Sequence, residues 1–367
     1  MKILVVLPSF DLGGSEIYCF RLIRFASMHG LEWHVTSGNA KNSQMEPMFH
    51  QIGVETHASS PGYLSIRSAR RFLGFLKTGD FDVLMTFNGA FAAPSLSLAK
   101  LAGIPKRIAW HRRSTPAFAP TIGRRLYLAS ALRVFEYAST HLLSNSRAAF
   151  DRFHGSTWES DRKYKVIPNG IDGCRFRPRL IDSRCLRKEL ALPESATVVG
   201  HVGRFDPAKN HETLFKIVRK ARDSGMDAWL LCAGTGTDTD AFKERLKIHG
   251  ITEVTRALGP RTDIERLHHA LDVFVFPSLT EGQPNALIEA ILSGIRVLAS
   301  DIAPVREAVP VALYGNLFPP QDAEGAVALL KTRGEGSAEQ RENARQWAVE
   351  RYDPVRNFTA VLEVMGC

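Results

Sequence analysis

The chain has 367 residues, which at roughly 150 residues per domain predicts two domains. Hydrophobic residues make up 44% and charged residues 23%, a balance that excludes a disordered or fibrous chain. The net charge of +9 is uneven: residues 1–178 hold 23 Lys and Arg against 12 Asp and Glu, and residues 179–367 hold 24 against 26. That asymmetry points the first half toward an anionic partner, a membrane surface or a nucleic acid.

A spanning helix needs about 20 mostly apolar residues. The run at 3–7 stops at Pro8 and Asp11, too short for a secretory signal as well, and 84–103 is broken by Asn88, Pro94 and Lys100. Short Val/Ile/Leu-rich runs are predicted as strands at 3–7, 32–36, 83–86, 107–110 and 141–144, then at 198–202, 228–232, 254–258, 273–276 and 297–300. Helical patterns alternate with them, and the strands lack clean polar alternation, as expected of parallel sheets covered on both faces. The pattern starts twice, with an Arg/Asp/Pro-rich join near 175–195. The expected fold is therefore α/β, two doubly wound parallel-sheet domains: 1–178, then 195–350, then a helix over 352–365 with Pro354 in its first turn. Residues 351–367 are expected to return to the first domain. Ligands of such sheets bind beyond the carboxyl ends of the strands, so two of them would line an interdomain cleft. Five widely spaced cysteines, with no C-x-x-C, argue against a disulfide framework or zinc site and for a reducing cytosol.

Three loops carry candidate chemistry. Gly13 and Gly14 follow the first strand and open a helix; they form either a phosphate cradle or a tight turn capped by Ser15. A strict G-x-G-x-x-G fingerprint is absent. Gly203 and Arg204 follow the strand at 198–202, and Lys209 stands five residues after Arg204. An Arg fork and a Lys point charge can clamp a diphosphate, although a solvated loop would look the same. In the stretch 276–290, Glu281 and Glu289 flank Gly282 and Pro284 before a helix. Amides near Gly282, Asn285 and Ala286 would then sit at a helix N-terminus ready for an anion.

Together with His111 and Ile167-Pro168-Asn169-Gly170-Ile171-Asp172, these motifs resemble glycosyltransferase family 4, retaining nucleotide-sugar-dependent enzymes of the GT-B fold. The matches are Gly13-Gly14-Ser15-Glu16, Gly203-Arg204 with Lys209-Asn210, and Glu281-Gly-x-Pro-Asn through Glu289. They are correctly ordered and span nearly the whole chain. The resemblance implies that Arg204 and Lys209 bind the donor diphosphate, that Glu281 lies by the donor sugar and that Glu289 holds the ribose hydroxyls. It implies that Gly13 and Gly14 close over the phosphates from the opposite domain and that His111 sits near the reacting sugar. Arg112 and Arg113 then mark the acceptor side or are plain surface cations. Gly259 and Arg261 are weak nucleobase candidates. Asp238-Thr239-Asp240 mimics a metal-binding D-x-D, but the family's loop there is metal-free, so neither metal nor cofactor is expected.

The implied reaction moves a hexosyl or N-acetylhexosaminyl group from a nucleoside diphosphate, a UDP-sugar by the Pro-Asn form of the motif, to an acceptor hydroxyl. Retention would come from same-face attack, with a donor phosphate oxygen taking the proton. The acceptor class implied is lipid-linked or lipopolysaccharide glycan, met in the cytoplasm or at the inner face of the membrane. Basic amphipathic helices at 65–77 and 121–133 suit that surface, or are ordinary half-buried helices. A nucleotide-sugar 2-epimerase shares the fold and is the alternative; a nucleic-acid-binding protein lacks interleaved aromatics.

Overall fold

The computed structural model describes residues 1–367 except 12, 39–43, 63–64, 113–120, 156, 178–182 and 333–336. The chain divides into two compact units, Met1–Gly170 with Pro354–Cys367, and Ile171–Asp353.

The first unit holds a seven-stranded sheet: β1 (Lys2–Leu7), β2 (Glu32–Ser37), β3 (Glu55–His57), β4 (Val83–Thr86), β5 (Lys106–His111), β6 (His141–Ser144) and β7 (Tyr164–Val166), in the order β3-β2-β1-β4-β5-β6-β7. The second holds six: β8 (Thr197–Val202), β9 (Ala228–Ala233), β10 (Thr255–Ala257), β11 (Val273–Phe276), β12 (Arg296–Ser300) and β13 (Leu317–Phe318), in the order β10-β9-β8-β11-β12-β13. Every pairing among them is parallel. Both sheets are doubly wound, as the alternation of runs predicts. The edge strands β3, β7 and β13, of two or three residues each, were not anticipated, whereas the equally short edge strand β10 lies within the expected run 254–258.

Burial on both faces explains the unalternating strands. In β1, Ile3, Val5 and Leu7 join one apolar cluster with Tyr18, Leu22 and Val35. Leu4 and Val6 point the other way, into a cluster with Phe72, Leu84 and Phe135. A period of two thus feeds two cores at once. The helix Pro354–Met365 packs Phe358, Val361 and Leu362 onto the first of these clusters, and full burial of such side chains is worth roughly 1.5–3 kcal/mol each. It begins at Pro354 rather than at 352. Tyr352 belongs to the second unit, where its hydroxyl donates to the Ala308 carbonyl at 3.0 Å and its own carbonyl accepts from the Ile171 amide at 2.8 Å.

Candidate functional site

In the second sheet the strand order reverses between β8 and β11, the switch point where doubly wound sheets take their ligands. Backbone-to-backbone packing shapes the loops there. Gly234, at φ 141°, lies so close to the β8 loop that a Cβ would stand 2.2 Å from the Gly203 carbonyl oxygen. The amide of Gly203 donates to Ala233 at 2.9 Å, and that of Gly234 to Gly259 at 2.7 Å. Asn210, left-handed at φ 55°, donates its side-chain amide to the Pro277 and Pro320 carbonyls at 3.1 and 2.7 Å. The Leu279 amide donates to Ala208 at 2.8 Å. The loops after β8 and β11 are therefore tied together.

That tie brings Lys209 and Glu281 into contact. Lys209 Nζ donates to Glu281 Oε1 at 2.5 Å, with the side chains 21% and 10% exposed. The ammonium also lies 5.2 Å from the Phe276 ring centroid. A mostly buried pair of this kind is costly to break by removing one partner, because the other charge is left desolvated. Arg204 is exposed on the same loop. Gly282 and Pro284 are buried, and the helix Asn285–Leu292 follows with no side-chain cap at its N-terminus. Amides without a cap favour an anion. Glu289 is the fifth residue of that helix and is half-buried.

Two histidines beneath the loop were not singled out from the sequence. His201 donates through Nδ1–H to the Val275 carbonyl at 2.9 Å, and its Nε2 lies 2.9 Å from where a Gly203 Cβ would be. His211 sits edge-on to it, 4.9 Å between centroids. Burial holds His201 well below the usual histidine range, with His211 adding to the effect. Burial, then the Lys209 charge, pushes His211 down to about 4. Neutral imidazoles pack here without adding charge under the cations.

The weaker candidates have partners of their own. Arg261 forms a two-pronged pair with Asp263 at 2.8 and 2.7 Å. A Gly259 Cβ would stand 2.6 Å from Asp238 Oδ2, at φ 66°. Asp240 opens the helix Asp240–Ile248, capped by Thr239, and pairs with Lys243 at 3.2 Å.

The first unit has the same kind of switch point, between β1 and β4, but fills it differently. Gly13, not Ser15, is the N-cap of the helix Gly14–Ala26. A Gly13 Cβ would stand 2.4 Å from Glu16 Oε2, so a carboxylate lies at the helix start. Burial raises the Glu16 pKa, opposed by its own amide, Arg112 and the Ser9 amide. Arg112 is not a plain surface cation. Its guanidinium is stacked 4.2 Å over the Tyr18 ring and 5.7 Å from Phe87 and Trp110, and burial pushes its pKa down to about 10. Arg113 lies outside the described residues.

His111 ends β5 and is buried, packed against Phe135 and Phe153. Its Nε2 stands 2.9 Å from His154 Nε2, and His154 Nδ1 faces Glu136 Oε1. Burial, then His154, pushes His111 down to about 3. With His154 Nδ1–H donating to Glu136, His154 Nε2 accepts from His111 Nε2–H, which leaves His111 Nδ1 as the lone-pair nitrogen. Glu136 and His154 were not found from the sequence, where nothing in their spacing links them to position 111.

Two doubly wound parallel sheets, one with paired charges at its switch point, define the GT-B architecture of glycosyltransferases. The family described as "Glycosyltransferase Family 4" matches residues 12–173, and that described as "Glycosyl transferases group 1" matches residues 182–350. The chain belongs to the family 4 type of glycosyltransferase. It is 27% identical over 320 residues to EpsF of Bacillus subtilis (strain 168), covering 82% of this chain and 79% of that protein. It is also 27% identical over 232 residues to an Escherichia coli UDP-Gal:alpha-D-GlcNAc-diphosphoundecaprenol alpha-1,3-galactosyltransferase, covering 62% and 59%. The structure of Anabaena Alr3699/HepE in complex with UDP-glucose superposes with a TM-score of 0.83 at 20% identity, covering 100% of this chain and 99% of that one. The names of these proteins give no support to the epimerase alternative.

Proposed function

We propose that this glycosyltransferase moves a sugar from a UDP-sugar to a hydroxyl of a lipid-linked or lipopolysaccharide glycan, with retention at the anomeric carbon. The observation that carries it is the contact of Lys209 with Glu281 beside Arg204, at the switch point of the second unit. A UDP-sugar is supported by the UDP-glucose complex of the Anabaena protein and the UDP-Gal donor of the Escherichia coli relative. The latter's diphosphoundecaprenol acceptor supports a lipid-linked one here.

As the bond to the diphosphate breaks, negative charge grows on the leaving oxygens. Arg204, Lys209 and the amides at the start of Asn285–Leu292 stabilise that charge without a metal, by preorganised electrostatics. Glu281 faces the anomeric centre as it turns positive, and Glu289 accepts from the ribose hydroxyls. The acceptor attacks from the face the diphosphate leaves, and a phosphate oxygen takes its proton. The lone pair on His111 Nδ1 serves as a hydrogen-bond acceptor for a sugar hydroxyl.

Incubation with a panel of nucleotide sugars and a membrane-lipid acceptor extract, read by mass spectrometry and proton coupling at the new linkage, tests the reading. An α-linked product from a UDP-sugar, unaffected by EDTA, is expected. Nucleotide-sugar isomerisation without an acceptor would contradict it.

The acceptor implies a membrane surface. Among the described residues no helix is long and apolar enough to cross one. The helix Ile122–Ala138 exposes Ile122, Leu126 and Tyr127 beside Arg124 and Arg125, while Ile66–Gly79 turns Arg67, Arg70, Arg71 and Lys77 outward. Basic residues near an anionic surface contribute about 1 kcal/mol each. Flotation with anionic but not neutral vesicles is expected; equal flotation with both would defeat the electrostatic version.

A further inference from the structure

The edge of the first sheet gathers donors that the transfer reaction does not use. His34 on β2 and His57 on β3 place Nδ1 and Nε2 3.0 Å apart, their rings nearly parallel at 21°. Glu55 lies opposite His34 in the register and sends one carboxylate oxygen to 3.4 Å from His34 Nδ1 and the other to 3.8 Å from His57 Nε2. These three side chains are the one His/Cys/Asp/Glu group among the described residues whose ligand atoms all lie within 4.8 Å of one another. Strand period explains the gathering. Glu55-x-His57 puts both side chains on one face, and Glu32-x-His34 repeats the arrangement on the neighbouring strand.

We propose that His34, His57 and Glu55 bind a divalent cation of the zinc class. Donor atoms about 2.0–2.1 Å from zinc at tetrahedral angles stand roughly 3.3–3.4 Å apart, and the separations of 3.0, 3.4 and 3.8 Å bracket that spacing. Two imidazole nitrogens and one carboxylate suit zinc better than magnesium or calcium. Glu32 completes the arrangement from outside. Its Oε1 stands 2.8 Å from His34 Nε2, so the proton sits on Nε2 and Nδ1 keeps its lone pair, as the carboxylate–histidine pairs behind metal ligands do. Without metal, His57 Nε2–H donates to that lone pair; metal replaces this proton, which returns to the ring at Nδ1. His34 is buried against Phe81 and the half-buried His57 packs against Phe75, with centroids 5.4 and 4.9 Å apart, which holds both rings in place. The ion would clip the three-residue edge strand β3 to β2. Because His34 lies in the middle of β2, short of the carboxyl edge where ligands bind, the clip is separate from sugar transfer.

Metal-stripped full-length protein titrated with Zn²⁺ by calorimetry tests this, alongside His57→Gln and Glu55→Gln. Three cysteines are exposed and form a background common to all variants. Wild type should take up one saturable equivalent that His57→Gln abolishes and Glu55→Gln weakens at least about tenfold, the loss of one of three ligands. The Glu55 side chain is 66% exposed, so that variant folds and decides the matter if His57→Gln does not. No saturable equivalent in wild type, or the same equivalent in Glu55→Gln, overturns the site.

Discussion

The two units are built on one plan and differ in what stands at its reversal point. Both sheets run third, second, first, fourth, fifth, sixth from one edge. In the second unit that point holds an exposed Arg204, a Lys209–Glu281 pair and a helix start with no side-chain cap. In the first, the helix start already has the Glu16 carboxylate beside Gly13, and the nearest guanidinium, Arg112, is stacked among Tyr18, Phe87 and Trp110. The shared topology supplies a place for a ligand, and side-chain charge decides which copy of it suits a diphosphate.

The largest effect should come from removing the cations. Arg204→Ala and Lys209→Ala should each lower kcat/KM about ten- to 150-fold, the loss of one charge-assisted hydrogen bond of roughly 1.5–3 kcal/mol. The double variant should fall short of the product of the two, since both act on one group. Unchanged steady-state kinetics in either single variant would return that residue to a solvated loop and remove the contrast between the units.

The glutamates sharpen the comparison within the second unit. Glu289→Gln should weaken UDP itself, measured by calorimetry. Glu281→Gln should leave UDP affinity nearly intact and lower turnover of the full donor, because its charge matters most in the transition state. Identical profiles for the two would defeat the assigned roles.

Acid should weaken both units. Burial holds His111 in the first unit at about 3 and lowers His57, His141 and His154 there, and in the second it holds His211 at about 4, His268 at about 3 and His201 well below its usual range. Their unfolded value is near 6.5, so between these limits the unfolded chain binds more protons. Stability is therefore whole above about pH 6.5 and falls as pH drops toward the folded values, by about 1.4 kcal/mol per pH unit for each histidine. Hydrogen exchange at pH 7 and pH 5 should show both units losing protection as the pH falls. Unchanged protection in either unit would contradict this.

The smallest effect is reserved for the first unit's loop. A Cβ on Gly14 would meet nothing within 4 Å, so Gly14→Ala should keep its melting temperature. If the Gly13–Gly14 amides approach phosphates, KM for the donor should still rise several-fold; no change in KM would restrict phosphate binding to the second unit.

What could be read from the sequence follows from how local the signal is. Ten of the thirteen strands show as apolar runs because helices cover both their faces, and the strand–Gly–Arg and Glu-Gly-x-Pro-Asn loops keep their chemistry within a few residues. The pairing of Lys209 with Glu281, 72 positions apart, depends on β8 lying next to β11, which no local pattern states. The His111–His154–Glu136 chain joins β5 to two separate helices in the same way. Arg112 follows a strand in the sequence as a surface cation would; only the packing of Tyr18 from another element shows it stacked and partly buried.

Hydrogen exchange with and without saturating UDP tests the central claim most directly. Protection should rise at residues 203–210 and 279–289 of the second unit, with at most a minor change at 13–16. Protection concentrated at 13–16, with residues 203–210 unaffected, would contradict the assignment of the diphosphate to the second unit.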